Sequence, residues 1–181
     1  MVKGRLIRHF KDVCKSPRAI IGIGKDGYIY GSDLYRIVRL DSSAAENLKD
    51  MKLRPLQDST YEIFRKHIEG EYSSANAKED YVIHELPEVK GLHGELTKTI
   101  GRRTNTVLWS DKNICINAWY FIKALEAFNS QVYYSARTKN EKFPIIIYED
   151  DDVMSVNLEC IMQTANKEEF TGFKVLDKEK K

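Results

Sequence analysis

The same succession of patterns occurs twice in this chain: one amphipathic helix, then three strand-like runs. The first copy spans 5–41 and the second 117–162. Each unit has an apolar face that needs a partner, and two units in one chain can supply it to each other. The repeat predicts an α+β domain of two pseudo-symmetric halves with antiparallel sheets. At 181 residues there is room for one such domain. A hydrophobic content of 42% is ordinary for a globular chain and enough for a core without disulfides or metals.

In the first copy, Leu6, Phe10 and Val13, with Ile7 and Cys14 beside them, form a stripe at helical spacing over 5–15. Arg8, Lys11 and Lys15 fall at i, i+3 and i+7 on a different face. Ser16-Pro17 ends the helix, because a residue before proline is pushed out of the α region. Runs at 19–24, 28–31 and 35–40 follow as strands. Asp26-Gly27 between the first two is a hairpin signal. Ile37 between Arg36 and Val38 predicts a half-buried third strand.

Ahead of the second copy, 106–109 and 114–116 are short strands around a turn at 110–113. Asn117 is an N-cap for a helix whose inner face is Ala118, Phe121, Ile122, Leu125 and Phe128. Strands follow at 131–137, 144–148 and 153–162, joined by turns at 138–142 and 149–152. Between the copies, 42–103 reads as a long connection with local structure. It holds a helical stretch at 44–51, a short helix over 59–68 with Ile63, Phe64 and Ile68 on one side, a polar loop at 73–80 and a strand at 81–86. The domain is thus 1–163, with half one at 5–41, the connection at 42–103 and half two at 104–163. Residues 164–181 read as a polar, frayed tail.

Few motifs carry chemistry. Gly22-Ile-Gly24-Lys-Asp-Gly27 matches GxGxxG, but a dinucleotide site needs a helix to begin inside the motif, and Tyr28-Ile-Tyr favours a strand. A hairpin turn accounts for it. Four carboxylates at 149–152 could attract a hard cation. Adjacent residues on a strand point to opposite faces, however, and no partner acid is evident, so a solvated hairpin tip is expected. No nucleophile–histidine arrangement can be argued from spacing. The expectation is no enzyme, no catalytic residue, no cofactor and no metal site.

Cys14, Cys115 and Cys160 are far apart and odd in number, with no zinc spacing to His9, His67, His84 or His93. Buried free thiols and a reducing, cytoplasmic compartment are expected. No apolar stretch suits a signal peptide or a membrane span. A formal net charge of +2 permits contact with nucleic acid without demanding it. The cations of the first helix could neutralise phosphates without reading sequence. Arg102-Arg103 adds a small basic spot.

Tyr28-Ile-Tyr-Gly-Ser-Asp-Leu-Tyr-Arg-Ile-Val-Arg-Leu40 resembles the bacterial β-clamp segment in which a strand ends in Thr/Ser-Asp-Leu and the next turns back. Residues 117–128 resemble the clamp's Asn-x-x-Tyr-Leu-x-x-x-Leu helix. Phe143-Pro-Ile-Ile-Ile147 and Leu158-Glu-Cys-Ile-Met162 resemble the last two strands of a clamp domain. The pattern is that of the DNA sliding clamp fold, in a single-domain version. Four departures stand out. There is room for one domain rather than three, the usual strand before the first helix is missing or very short, the middle is long, and Gln163 replaces the terminal proline of the polymerase-peptide pocket. That pocket is not carried over.

The resemblance implies a non-enzymatic clamp-like protein that contacts duplex DNA phosphates without sequence specificity, as a replication accessory factor. The matching DNA-binding positions are Arg5, Arg8, Lys11 and Lys15 on the first helix and Lys123 on the second. Implied partners are duplex DNA, replication proteins and further copies of the chain; no membrane partner is expected. The alternative is a protein-interaction module on the same scaffold, a phage or mobile-element adaptor or inhibitor without DNA binding.

Overall fold

A computed structural model describes residues 3–69, 81–84, 98, 106–109, 115–127, 131–135, 145–149, 152–156, 168–170 and 173–177. The element order is α1 (Gly4–Val13), β1 (Ile20–Ile23), β2 (Ile29–Ser32), β3 (Arg36–Leu40), a 3-10 helix (Ser42–Leu48) and α2 (Asp58–Glu69). Then come β4 (Tyr81–His84), β5 (Thr106–Trp109), β6 (Cys115–Asn117) and α3 (Ala118–Ala127). Last are β7 (Gln131–Ser135), β8 (Ile145–Glu149), β9 (Asp152–Val156), β10 (Glu168–Phe170) and β11 (Phe173–Asp177).

The strands form two antiparallel sheets. The larger runs β1-β2-β3-β9-β8-β7-β4, and the smaller runs β10-β11-β5-β6. Within the larger sheet the two meanders meet where β3 pairs with β9, Arg36 opposite Val156 and Arg39 opposite Val153. The class is α+β.

Local signals set most of these elements. Gly27 takes a φ of +84° in the β1–β2 turn, a conformation that a side chain would resist. Asn117 ends β6 and caps α3, its Oδ1 accepting from Trp119 N at 3.0 Å and Tyr120 N at 3.2 Å. The first helix stops at Val13, ahead of the proline.

One face of the sheet carries α1 and α3. Leu6, Ile7, Phe10 and Val13 meet Ile29, Val38 and Leu40 there, with Phe121, Ile122 and Ala124 of α3 in the same cluster. Backbone and helix come close at Gly31, where an added Cβ would sit 2.7 Å from Cys14 Sγ and 2.8 Å from a Phe10 ring carbon. The opposite face carries α2. Tyr61, Phe64 and Ile68 cover Tyr30, Ile37 and Val153, and the Tyr30 and Tyr61 rings meet edge to face at 6.0 Å.

This second layer corrects several expectations. β3 is buried on both faces, not half-buried, because α1 covers Val38 while α2 covers Ile37. On α2 the inward stripe is Tyr61, Phe64 and Ile68, and Ile63 is 55% exposed. Two residues beyond Tyr61, Ile63 is turned some 200° away around the helix. In the middle segment the expected helix and strand are present as α2 and β4; α2 covers one sheet face and β4 pairs with β7. The expected frayed tail contains β10 and β11, with β11 hydrogen-bonded to β5. The 149–152 tip is not fully solvated. Asp152 is buried, and its Oδ1 accepts from Asp41 N at 2.8 Å, tying the end of β3 to β9.

The expected loop at 73–80, the Arg102-Arg103 pair, Phe128, the 157–163 end of the last strand, and the side chains of Cys115 and Cys160 lie outside the described residues. No described helix is long and apolar enough to cross a membrane.

Candidate functional site

Where α1 and α3 lie side by side they enclose an open cleft of about 320 Å³. Arg5, Arg8, His9 and Asp12 line it from α1, Lys15 from the turn just past the end of that helix, and Lys123, Glu126 and Ala127 from α3. Positions 5, 8 and 12 repeat at helical spacing, so one side of α1 supplies most of that wall, and Lys15, expected on the helix, extends it from the turn. Four cations thus face two carboxylates.

Each cation has its own local chemistry. Arg5 Nε donates to the Ala127 carbonyl at 2.8 Å, satisfying a group at the C-terminal end of α3 where the helix dipole favours positive charge. Arg5 therefore staples the two helices together. Lys123 Nζ lies 2.7 Å from Glu126 Oε2 and 4.8 Å from the centroid of the Trp119 ring. Lys15 is highly exposed and sits 3.8 Å from Asp12 Oδ1, a loose pair of little energetic weight. Arg8 is exposed.

Lys11 is not in the cleft. It points toward the turn that follows the 3-10 helix, where Nζ reaches both carboxylate oxygens of Asp50, at 2.9 and 3.0 Å. Of the five cations predicted to meet phosphate, four are brought together and the fifth is tied to a neighbouring carboxylate. Sequence reasoning missed the interleaved Asp12 and Glu126, which dilute the charge. The signal for Asp12 was there, since it shares the 5–8–15 stripe.

His9 is the buried group of the site. It is 6% exposed, and its Nε2 has no hydrogen-bond partner. Burial, with the Arg36 guanidinium next, lowers its pKa to about 4; Lys123 acts in the same direction, and Asp12 and Glu126 oppose them. At neutral pH the imidazole is uncharged and adds nothing to the cleft's positive field. Cys14, packed against Phe10 and Gly31, is a free thiol pushed up to about 12, mainly by burial. It is a space-filling group rather than a nucleophile.

Behind the cleft lies a buried ion pair. Arg36 donates to Asp33 Oδ2 from Nε at 2.9 Å and from Nη2 at 2.7 Å. Its guanidinium carbon is 4.5 Å from the centroid of Tyr120 on α3. The pair anchors the β2–β3 turn to α3. Among the described residues no three His, Cys, Asp or Glu side chains gather as a metal site.

Comparison with family models, with curated proteins and with solved structures finds no match. The cleft and its surroundings therefore carry the functional reading.

Proposed function

We propose that this chain is a non-enzymatic, clamp-like protein that contacts the phosphates of duplex DNA through the α1–α3 face. The observation that carries the reading is the cleft itself. Two helices that each precede a three-stranded meander lie together and bring Arg5, Arg8, Lys15 and Lys123 to one surface. The sheet order, with β3 beside β9 and the two meanders running outward from that pair, supports the view of two related halves. In this reading β4, β10 and β11 are additions to the two-half plan, and Lys11 serves the turn after the 3-10 helix rather than DNA.

The contacts are sequence-independent. Cations on helical side walls meet phosphate oxygens, release counterions, and leave base edges unread. Asp12 and Glu126 keep the attraction modest, which suits a protein that slides. Encirclement would need several copies, joined by strand addition at sheet edges. At β1 that edge is partly closed. Ile23 N donates to Arg54 O at 2.8 Å, and Leu56 N donates to Ile23 O at 2.9 Å. Strand addition there is restricted to the Ile20–Ile21 end; β4 is the other terminal strand of this sheet.

The test is a salt titration of binding to blunt duplex DNA. Affinity is expected to fall linearly in log–log form, and each of Arg8→Gln and Lys15→Gln to flatten the slope by about 0.9. Lys11→Gln is the internal control and leaves the slope unchanged. Binding that ignores salt, or that responds to Lys11 as strongly as to Lys15, would sink the proposal.

A further inference from the structure

Next to the cleft, the β2–β3 turn holds two apolar side chains out in solvent. Leu34 is 48% exposed and Tyr35 is 54% exposed. The turn is rigidly built. Asp33 N donates to Arg36 O, Leu34 N to Ser32 Oγ at 3.1 Å, and Tyr35 N to Asp33 Oδ1 at 3.0 Å. Leu34 has a φ of +78°, the sign pattern of a type II′ turn, whose first central residue is ordinarily glycine. A side chain is retained where the backbone would be easier without one. Such a conformation is characteristic of positions with a functional role.

The turn is backed by aromatic and cationic groups. The Tyr35 ring lies 5.9 Å from that of Tyr120, tilted by 32°, and Tyr120 is the ring that Arg36 also contacts. Tyr120 and Trp119 lie one turn before Lys123 on α3, and Lys123 reaches the Trp119 ring while lining the cleft. The exposed tyrosine therefore continues the cationic surface rather than standing apart from it. An aromatic ring supported on one side and open to solvent, beside phosphate-complementing cations, is the arrangement that takes an unpaired base. Bases inside a duplex are stacked on both faces, so the interior of a duplex offers Tyr35 no face to stack on.

We propose that Tyr35, backed by Tyr120 and with Leu34 next to it in the turn, is a stacking platform for an unpaired base of single-stranded DNA that continues from a duplex whose phosphates lie in the α1–α3 cleft. This rests on the duplex-contact reading above and adds a preference for junctions.

The experiment compares fluorescence anisotropy of the full chain on blunt duplex, on the same duplex with an oligothymidylate overhang, and on oligothymidylate alone. The overhang DNA is expected to bind more tightly than the blunt duplex, and Tyr35→Ala to remove that gain, on the order of tenfold, without changing blunt binding. Tyr35→Phe keeps the ring and should keep the gain. Leu34→Gly relaxes the turn and should raise Tm while weakening overhang binding, which a purely structural role for Leu34 would not produce. Equal binding of blunt and overhang DNA, or an equal loss on both with Tyr35→Ala, overturns the platform and leaves duplex contact standing. Binding of oligothymidylate that needs Tyr35, with no binding of blunt duplex, overturns the duplex reading instead. No binding to any of the three overturns both.

Discussion

His9 should make this fold acid-sensitive in a window where few other groups titrate. Its native pKa is depressed to about 4 from an ordinary 6.5, because its ring is buried and faces Arg36 and Lys123. The unfolded chain therefore takes up a proton at a pH where the native protein does not. Stability is complete above 6.5, is lost as pH falls from there toward 4, and levels off below. A tenfold difference in proton affinity between the folded and unfolded chain corresponds to about 1.4 kcal/mol, so the full penalty is about 3 kcal/mol and the loss between about pH 8 and pH 5 is about 2 kcal/mol. Asp12 and Glu126 oppose the depression without reversing it. Urea unfolding at the two pH values reads the difference directly. His9→Leu and His9→Gln cannot titrate, so each should cut the acid loss by about 2 kcal/mol whatever it does to stability at high pH. His67 is lowered in the same direction through burial and supplies a residual slope in both variants. Exposed Asp41 and Asp50 have lowered pKa values and act only below the window. If wild type and His9→Leu lose the same amount, the imidazole is not held neutral by its surroundings, and burial does not govern the electrostatics of the site.

Two further outcomes test how the α1–α3 layer is held. Gly31→Ala places a methyl group 2.7 Å from Cys14 Sγ and 2.9 Å from Phe10 Cζ, and should destabilise by about 1–3 kcal/mol in urea titrations. Combining it with Cys14→Ala should recover part of that loss, and strict additivity would mean that the two do not touch. Asn117→Ala removes the acceptor for two amides at the start of α3 and should cost about 1 kcal/mol with an unchanged m-value. A change within experimental error would show that the cap carries no weight.

What was legible in the sequence was local. Asp26-Gly27 marks a turn because its geometry needs a left-handed residue, and Gly27 adopts one. Asn117 marks a helix start because its carbonyl can reach amides two and three residues on. Apolar spacing in 5–15 gives α1 and its inner face. What was hidden depends on partners distant in the chain. Val38 and Ile37 are both buried because two helices from different regions cover opposite faces, and no single-strand pattern encodes that. The 164–181 segment is polar, and the partner that makes a strand of its 173–177 stretch, β5, lies about 65–70 residues away in the chain. Similarly, Arg8, Lys11 and Lys15 look like one stripe on an isolated helix. Where α3 and the 3-10 segment pack decides that Lys15 faces the cleft while Lys11 pairs with Asp50. A search for cations alone passes over Asp12, and a helix read for its apolar face gives no weight to Glu126.

The charge arithmetic of the cleft bears on how such a surface could hold DNA. Arg5 is engaged at the end of α3 and Lys123 pairs with Glu126, so Arg8 and Lys15 are the cations most able to turn outward. With two to four phosphates neutralised per copy, a fourfold rise in salt would weaken binding by roughly 10- to 150-fold. One copy alone would then be a poor ligand at physiological ionic strength. Weak contact per copy is a defect for a monomeric binder and an advantage for a sliding one, since a ring is retained by topology and a high charge density would add friction. Cleft composition and assembly are therefore coupled in this reading: interleaved carboxylates are tolerable only if several copies act together, or if a second element such as Tyr35 adds contact where the duplex ends. The slope of the salt titration separates these cases. A slope near that of two phosphates with sub-micromolar affinity requires multiplicity, because two counterions and no base contact cannot supply it from one copy.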